Sequence, residues 1–178
     1  MITPRQEVLW VLRAQCHDRE ALESLLRSVQ PSLHGYLRTI VGADHADDAL
    51  QDVLILLYRK LAGLENPKVF RPWAFRIASR VAFRRLKKQK LWEQDITGAP
   101  LEEIAAADGP LTADALRGLL NIDSVSPASR AVLVLHFQEA LPLADVAAIL
   151  EIPLGTVKSR LAYGLAVLRR QLNDKRSL

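Results

Sequence analysis

Apolar residues recur three and four positions apart along almost the whole of this chain, and alternating apolar–polar stretches are lacking. That spacing places apolar side chains on one face of a helix, whereas a strand needs a period of two. The fold class expected is all-α. Gly and Pro then mark where the helices break. A first helix is expected from Pro4 to Gln15, since Pro suits an early helical position where its missing N–H would be unpaired anyway. Asp18 reads as the N-cap of a helix from Arg19 to Val29, which Pro31 kinks or restarts and which continues to Val41. Gly42 ends it, and Asp44 is the expected cap of a helix from His45 to Leu61. After a loop at Gly63–Pro67, a long helix covers Lys68 to Lys90.

The segment from Glu93 to Asp123 differs in kind. It carries seven acids against one base, Arg117, and the breakers Gly98, Pro100, Gly109 and Pro110. Such segments separate domains. It reads as an acidic linker with short helical pieces at Pro100–Ala107 and Thr112–Leu120. Beyond it, Ser126-Pro127 starts a helix to Gln138, Leu141-Pro142 starts one over Leu143–Leu150, Pro153 marks a turn, and a last helix runs from Gly155 to Leu172. The tail Asn173–Leu178 is expected to fray. At 178 residues the chain is long enough for two small domains.

Three constellations could carry function. The first is cationic: no acid stands between Asn66 and Trp92, and Arg76, Arg80, Arg84 and Lys88 recur every fourth residue. A phosphate backbone could lie along that ridge, although a charge run can also be a solvated face. Phe70, Trp73, Ile77 and Val81 form the expected buried stripe of the same helix; Trp73 and Phe75 are candidates for stacking on bases, with core the alternative for Trp73. The second constellation is acidic: Asp44, Asp47, Asp48 and Asp52 crowd one helix start. Acids there complement the helix dipole, which accounts for Asp44 and Asp47. Asp48 and Asp52 are like charges one turn apart, a cost that a basic partner would relieve.

The third is the run Leu154-Gly155-Thr156-Val157-Lys158-Ser159-Arg160-Leu161, which follows a short amphipathic helix and a tight break. A helix-turn-helix presents its second helix to the major groove in this way, though tandem helices also occur without DNA. Val146, Ala147, Ile149 and Leu150 would form the inner face of the first helix; Val157, Leu161, Leu165 and Leu168 that of the second. Thr156, Lys158, Ser159 and Arg160 remain near the outer end, with Thr156 equally suited to an N-cap.

Other classes find little support. The net charge of +4 favours an anionic partner. A lone cysteine, Cys16, rules out an internal disulfide and fits a reducing cytoplasm. No apolar run approaches the eighteen or so residues of a membrane span, and the start of the chain has no signal-peptide core, so a cytoplasmic protein without membrane insertion is expected. His17, His34, His45 and His136 are scattered without metal-ligand spacing, and neither a phosphate loop nor a nucleophile motif is present. No catalytic residues, metal or cofactor are expected, and an enzyme is not.

With these elements placed, the chain resembles bacterial sigma-70-family RNA polymerase sigma factors of the small extracytoplasmic-function (ECF) type. The resemblance covers roughly Asp18–Lys90 and Ser126–Leu172, and rests on Asp48-Ala49-Leu50-Gln51-Asp52-Val53, on Phe70-Arg71-Pro72-Trp73 with Ile77-Ala78, and on Gly155–Leu161, in that order. It implies a region 2-like helical bundle over residues 1–91, the linker over 92–123 and a region 4-like helix-turn-helix domain over 124–178. It further implies that Asp48, Gln51, Asp52 and Leu54 contact the β′ clamp helices of core RNA polymerase. Lys68, Arg71, Trp73, Arg76, Arg80, Arg84, Lys87 and Lys88 would engage and open the −10 element of promoter DNA. Thr156, Lys158, Ser159 and Arg160 would read the −35 element while the domain packs on the β flap.

Many relatives are also held by an anti-sigma factor. The chain departs from the family at Arg80, where Asn is usual, at Arg84, where Asp or Asn is frequent, at Leu54 in place of Phe, and at Ala162 in place of His. A different −10 preference, or a shift toward phosphate contact, follows from the first two. Two other readings remain: a stand-alone regulator with a LuxR-like helix-turn-helix, and an interaction protein that mimics a sigma factor.

Overall fold

The computed structural model describes residues 3–88 and 125–176, with side chains to Gln171. The expected linker, its two short helices and Lys90 lie outside these residues. The described residues are helical, without a strand, and the chain divides into two compact units, Met1–Arg85 and Leu86–Leu178.

The first unit is built on α1 (Pro4–Gln15), α2 (Arg19–Val41), α3 (Ala43–Lys60) and α4 (Phe70–Lys88), the last three residues of which fall beyond the unit's boundary. Thr3 caps α1 by accepting the Gln6 N–H, and Asp18 caps α2 by accepting that of Ala21 at 3.0 Å. Pro31 neither ends nor restarts α2, which is one helix of 23 residues. Its apolar row Ala21, Leu25, Val29, Leu33, Leu37 is buried against α1 and α3, while Pro31 is exposed. The carbonyl that Pro31 leaves without an i+4 donor therefore faces the solvent side. Each fully buried Leu or Val on that row contributes about 1.5–3 kcal/mol, more than a missing solvated hydrogen bond removes.

The expected cap of α3 is corrected. Gly42, not Asp44, stands at the helix start, and it also ends α2; its backbone takes φ +87° and ψ 164°. That region of backbone space is essentially open to glycine alone. The chain reverses there in a single residue, and Asp44 falls inside the first turn of α3.

The joint between α3 and α4 contains two 3₁₀ turns, Leu61–Gly63 and Pro67–Val69. Gln15, the last residue of α1, uses its side-chain amide to donate to the carbonyls of Leu61 (2.9 Å) and Leu64 (2.8 Å). Asn66 caps the second turn through the Lys68 N–H. On α4, Phe70, Ile77 and Val81 are buried as expected, and so is Phe75, which meets the Tyr36 ring edge-on at 5.6 Å. The Tyr36 hydroxyl donates to Ser79 Oγ at 2.7 Å, because the Ser79 hydroxyl hydrogen goes to the Phe75 carbonyl. Burial pushes the Tyr36 phenol well above its ordinary range and keeps it a donor.

The second unit contains α5 (Pro127–Leu133), α6 (Leu143–Leu150) and α7 (Leu154–Arg176). The helix expected to reach Gln138 does so, but its last turn, Val134–Gln138, is a π-helical one. The chain leaves it through Ala140 at φ +54°, and His136 Nδ1 lies 2.9 Å from the Leu141 carbonyl. Helix α6 has the expected bounds. A three-residue turn follows, opened by Glu151 in the left-handed region (φ +57°). Helix α7 then packs on α5 and α6. Gly164 allows the closest approach: a Cβ there would stand 2.9 Å from Leu133 Cδ1, and Leu133 is fully buried. The tail expected to fray is helical as far as Arg176.

Candidate nucleic-acid interface

In the second unit, α7 starts at Leu154, so Thr156 is half-buried inside the first turn rather than at the cap. Val157 and Leu168 point into the core, and Leu161 and Leu165 are half-buried beside them. The opposite face carries Gly155, Lys158, Ser159, Ala162 and Tyr163, all exposed. These positions are three, four, seven and eight residues from Gly155, which puts them on one side of the helix. Ser159 donates its hydroxyl to the Gly155 carbonyl at 3.0 Å, which holds that side chain close to the backbone. A Cβ at Gly155 would meet nothing within 4 Å, so the surface there is flat and open.

Arg160 is half-buried and already engaged by an interaction within the protein. Tyr163 was not among the residues singled out from the sequence, and its helical spacing from Ser159 was the available signal.

On α4, the cationic ridge has an inner and an outer end. Arg76 is half-buried, with its Nε enclosed and without a hydrogen-bond partner. Arg80 is exposed and held by an interaction within the protein, while Arg84, Lys87 and Lys88 are exposed farther along. Lys68 is exposed on the turn before α4. Of the two aromatic candidates, Phe75 belongs to the core and is unavailable for stacking. Trp73 is half-buried, tilted against Phe70 with ring centroids 6.1 Å apart. Arg71 donates from Nε to Glu7 Oε1 at 2.7 Å, on a side chain of α1 that is only 11% exposed. Glu7 carries no local sequence signal for this role, because its partner stands 64 residues away.

The acidic face lies on α3. Asp48, Gln51 and Asp52 are exposed and Leu54 is half-buried. The same side of α3 also shows Ile55 (43% exposed) and Tyr58 (64%), so the face mixes carboxylates with apolar surface. Sequence reasoning missed both; they follow Asp48 by two and nearly three helical turns. Asp47 meets His34 at 3.0 Å. Asp52 accepts from Arg85 Nη2 at 2.5 Å, so an internal cation from α4 already offsets the Asp48–Asp52 repulsion.

Among the described residues there is no cluster of His, Cys, Asp or Glu suited to a metal ion, and no helix long and apolar enough to cross a membrane. The arrangement is one of surfaces: an acidic–apolar face and a cationic helix in one unit, and an open polar helix face in the other.

Comparison with known proteins gives this arrangement a family. The models for Sigma-70 region 2 and Sigma-70, region 4 match residues 25–91 and 122–170. The ECF RNA polymerase sigma factor SigW of Bacillus subtilis is 28% identical over 171 residues, spanning 88% of this chain and 91% of that protein. The ECF RNA polymerase sigma-E factor of Escherichia coli K12 is 26% identical, spanning 85% and 86%. Among solved structures, the sigma factor RpoE bound to the anti-sigma factor NepR from Bartonella quintana superimposes with a TM-score of 0.64 at 26% identity, covering 85% of this chain and 96% of that one. CnrH in complex with the cytosolic domain of CnrY shares the fold, with a TM-score of 0.65 at 20% identity and coverage of 95% and 98%. Two regions of one family, matched in order, take in all three of the surfaces described, and the chain belongs to the sigma-70 family as a sigma factor of the ECF type.

Proposed function

We propose that this protein is a dissociable, non-enzymatic specificity subunit that binds core RNA polymerase and directs initiation at promoters through −10 and −35 elements. The observation that carries the reading is the pairing, in one small unit, of an acidic–apolar face on α3 with a cationic helix α4. An acidic face with Ile55 and Tyr58 exposed suits a basic protein partner, here the β′ clamp helices. The cationic helix suits DNA, and its outer residues Arg84, Lys87 and Lys88 are the proposed phosphate contacts at −10. Opening the −10 element means taking bases out of the stack, at a cost of a few kcal/mol. Contacts from Trp73, Arg76 and Arg80 to the opened strand would offset that cost.

In the second unit, Lys158 and Ser159 lead the proposed −35 surface, with Ala162 and Tyr163 beside them and Arg160 bracing the helix from its flank. Two weak DNA sites act together only when their geometry is fixed, which polymerase would supply. An anti-sigma factor that covers these surfaces is the proposed regulator, by analogy with the RpoE–NepR complex. The proposed setting is the cytoplasm.

The test is transcription in vitro with bacterial core polymerase on a library of random promoters, with and without the protein. Initiation that depends on the protein, with two recovered sequence elements, is the expected result. Binding to core without any initiation would instead identify a mimic. Tight operator binding without polymerase would identify a stand-alone regulator.

A further inference from the structure

The two faces of the first unit meet in one ion pair. Arg85 on α4 donates from Nη2 to Oδ2 of Asp52 on α3 at 2.5 Å. Asp52 lies on the acidic face, one turn after Asp48. Arg85 follows Arg84 directly and stands one turn before Lys88, beside the cationic ridge. Its Nε is buried without a hydrogen-bond partner, so Asp52 satisfies the guanidinium only in part. The side chains are 27% and 54% exposed, which leaves the pair open to competition from outside. A carboxylate shared between two cations serves each less well, and a guanidinium paired with a carboxylate presents less net charge to a phosphate.

We infer that the Asp52–Arg85 pair is a latch coupling the two faces. A cationic partner surface on α3 competes with Arg85 for the Asp52 carboxylate, and the released guanidinium becomes a further phosphate-binding group on α4. Coupling of this kind is reciprocal, so DNA that draws Arg85 away leaves Asp52 more available to the protein partner. The inference rests on the reading of α3 as the polymerase-binding face. It differs in sign from the simpler view that Arg85 merely docks α4 on α3 or steadies Asp52. In that view, removing Arg85 weakens polymerase binding or leaves it unchanged. With a latch, removing Arg85 removes a competitor.

The experiment compares the full-length wild type with Arg85→Gln and Arg85→Lys in titrations against core RNA polymerase, with thermal unfolding followed in parallel. Arg85→Gln should bind core about two- to fivefold more tightly, the range set by a partly exposed ion pair, and Arg85→Lys should bind like the wild type. Holoenzyme carrying Arg85→Gln should also lose about one unit from the slope of log affinity against log salt on promoter DNA. Equal or weaker core binding by Arg85→Gln overturns the latch. Failure of the wild type to bind core overturns the reading beneath it, which is a separate outcome.

A second measurement needs no polymerase. Asp52→Asn in the free chain releases Arg85 without altering it, and should raise affinity for a DNA duplex about two- to fivefold. The gain should vanish when Asp52→Asn is made in the Arg85→Gln background. An equal gain in both backgrounds, or no gain in either, overturns the latch.

Discussion

Gly42 is where a single residue decides the path of the chain. At φ +87° and ψ 164° it closes α2 and opens α3, and no side-chain cap supports the new helix. Nothing lies within 4 Å of a Cβ built there, so substitution is opposed by the backbone alone. Gly42→Ala is expected to cost about 1–3 kcal/mol, read as a lower midpoint in urea unfolding with an unchanged m-value. Asp18 works in the opposite way, through its side chain. The Ala21 N–H and the Arg13 guanidinium hold its carboxyl below its ordinary value of 3.8. A group lowered in the folded state contributes stability that is complete above its unfolded value and is lost as pH falls through the folded one. Asp18→Asn keeps an acceptor at the cap but cannot titrate. Stability-against-pH curves for the variant and wild type should therefore diverge least at low pH and most above about pH 5.

At the scale of the element, α7 separates two arginine-like roles that the sequence alone left together. Lys158 is exposed on the open face, whereas Arg160 is half-buried and engaged within the protein. Lys158→Ala is expected to weaken promoter binding in the holoenzyme by about 1–3 kcal/mol while leaving thermal unfolding unmoved. Arg160→Ala should lower both, which a melting curve beside a footprint would separate. Helix number, order and most bounds in the described residues were legible because apolar spacing and the breakers at Gly42, Pro127, Pro142 and Pro153 are local signals. The π turn at Val134–Gln138 was not, since one widened turn changes no residue type. Phe75 was misplaced among stacking candidates because α4 buries a face broader than one stripe, including Ala74, Ala78 and Ala82. The pairs Arg71–Glu7 and Arg85–Asp52 join positions 64 and 33 residues apart, for which charge at one end gives no address at the other.

For the whole molecule, Arg84 and Lys158 fall in separate compact units, each with its own core. Substitutions that share no partners add in free energy within about 0.3–0.5 kcal/mol. Arg84→Ala and Lys158→Ala together should therefore lower holoenzyme affinity for a promoter by the product of their separate fold-changes, and a marked departure in a double-mutant cycle would show communication between the units. The region 2 match begins at residue 25, yet Gln15 supplies two donors to the carbonyls of Leu61 and Leu64, and Glu7 neutralises Arg71. A protein trimmed to the start of that match would thus leave two carbonyls to find water and an arginine to find a new counter-ion. The matched region and the unit that folds have different edges here, and the first helix is a wall of the domain rather than a preface to it.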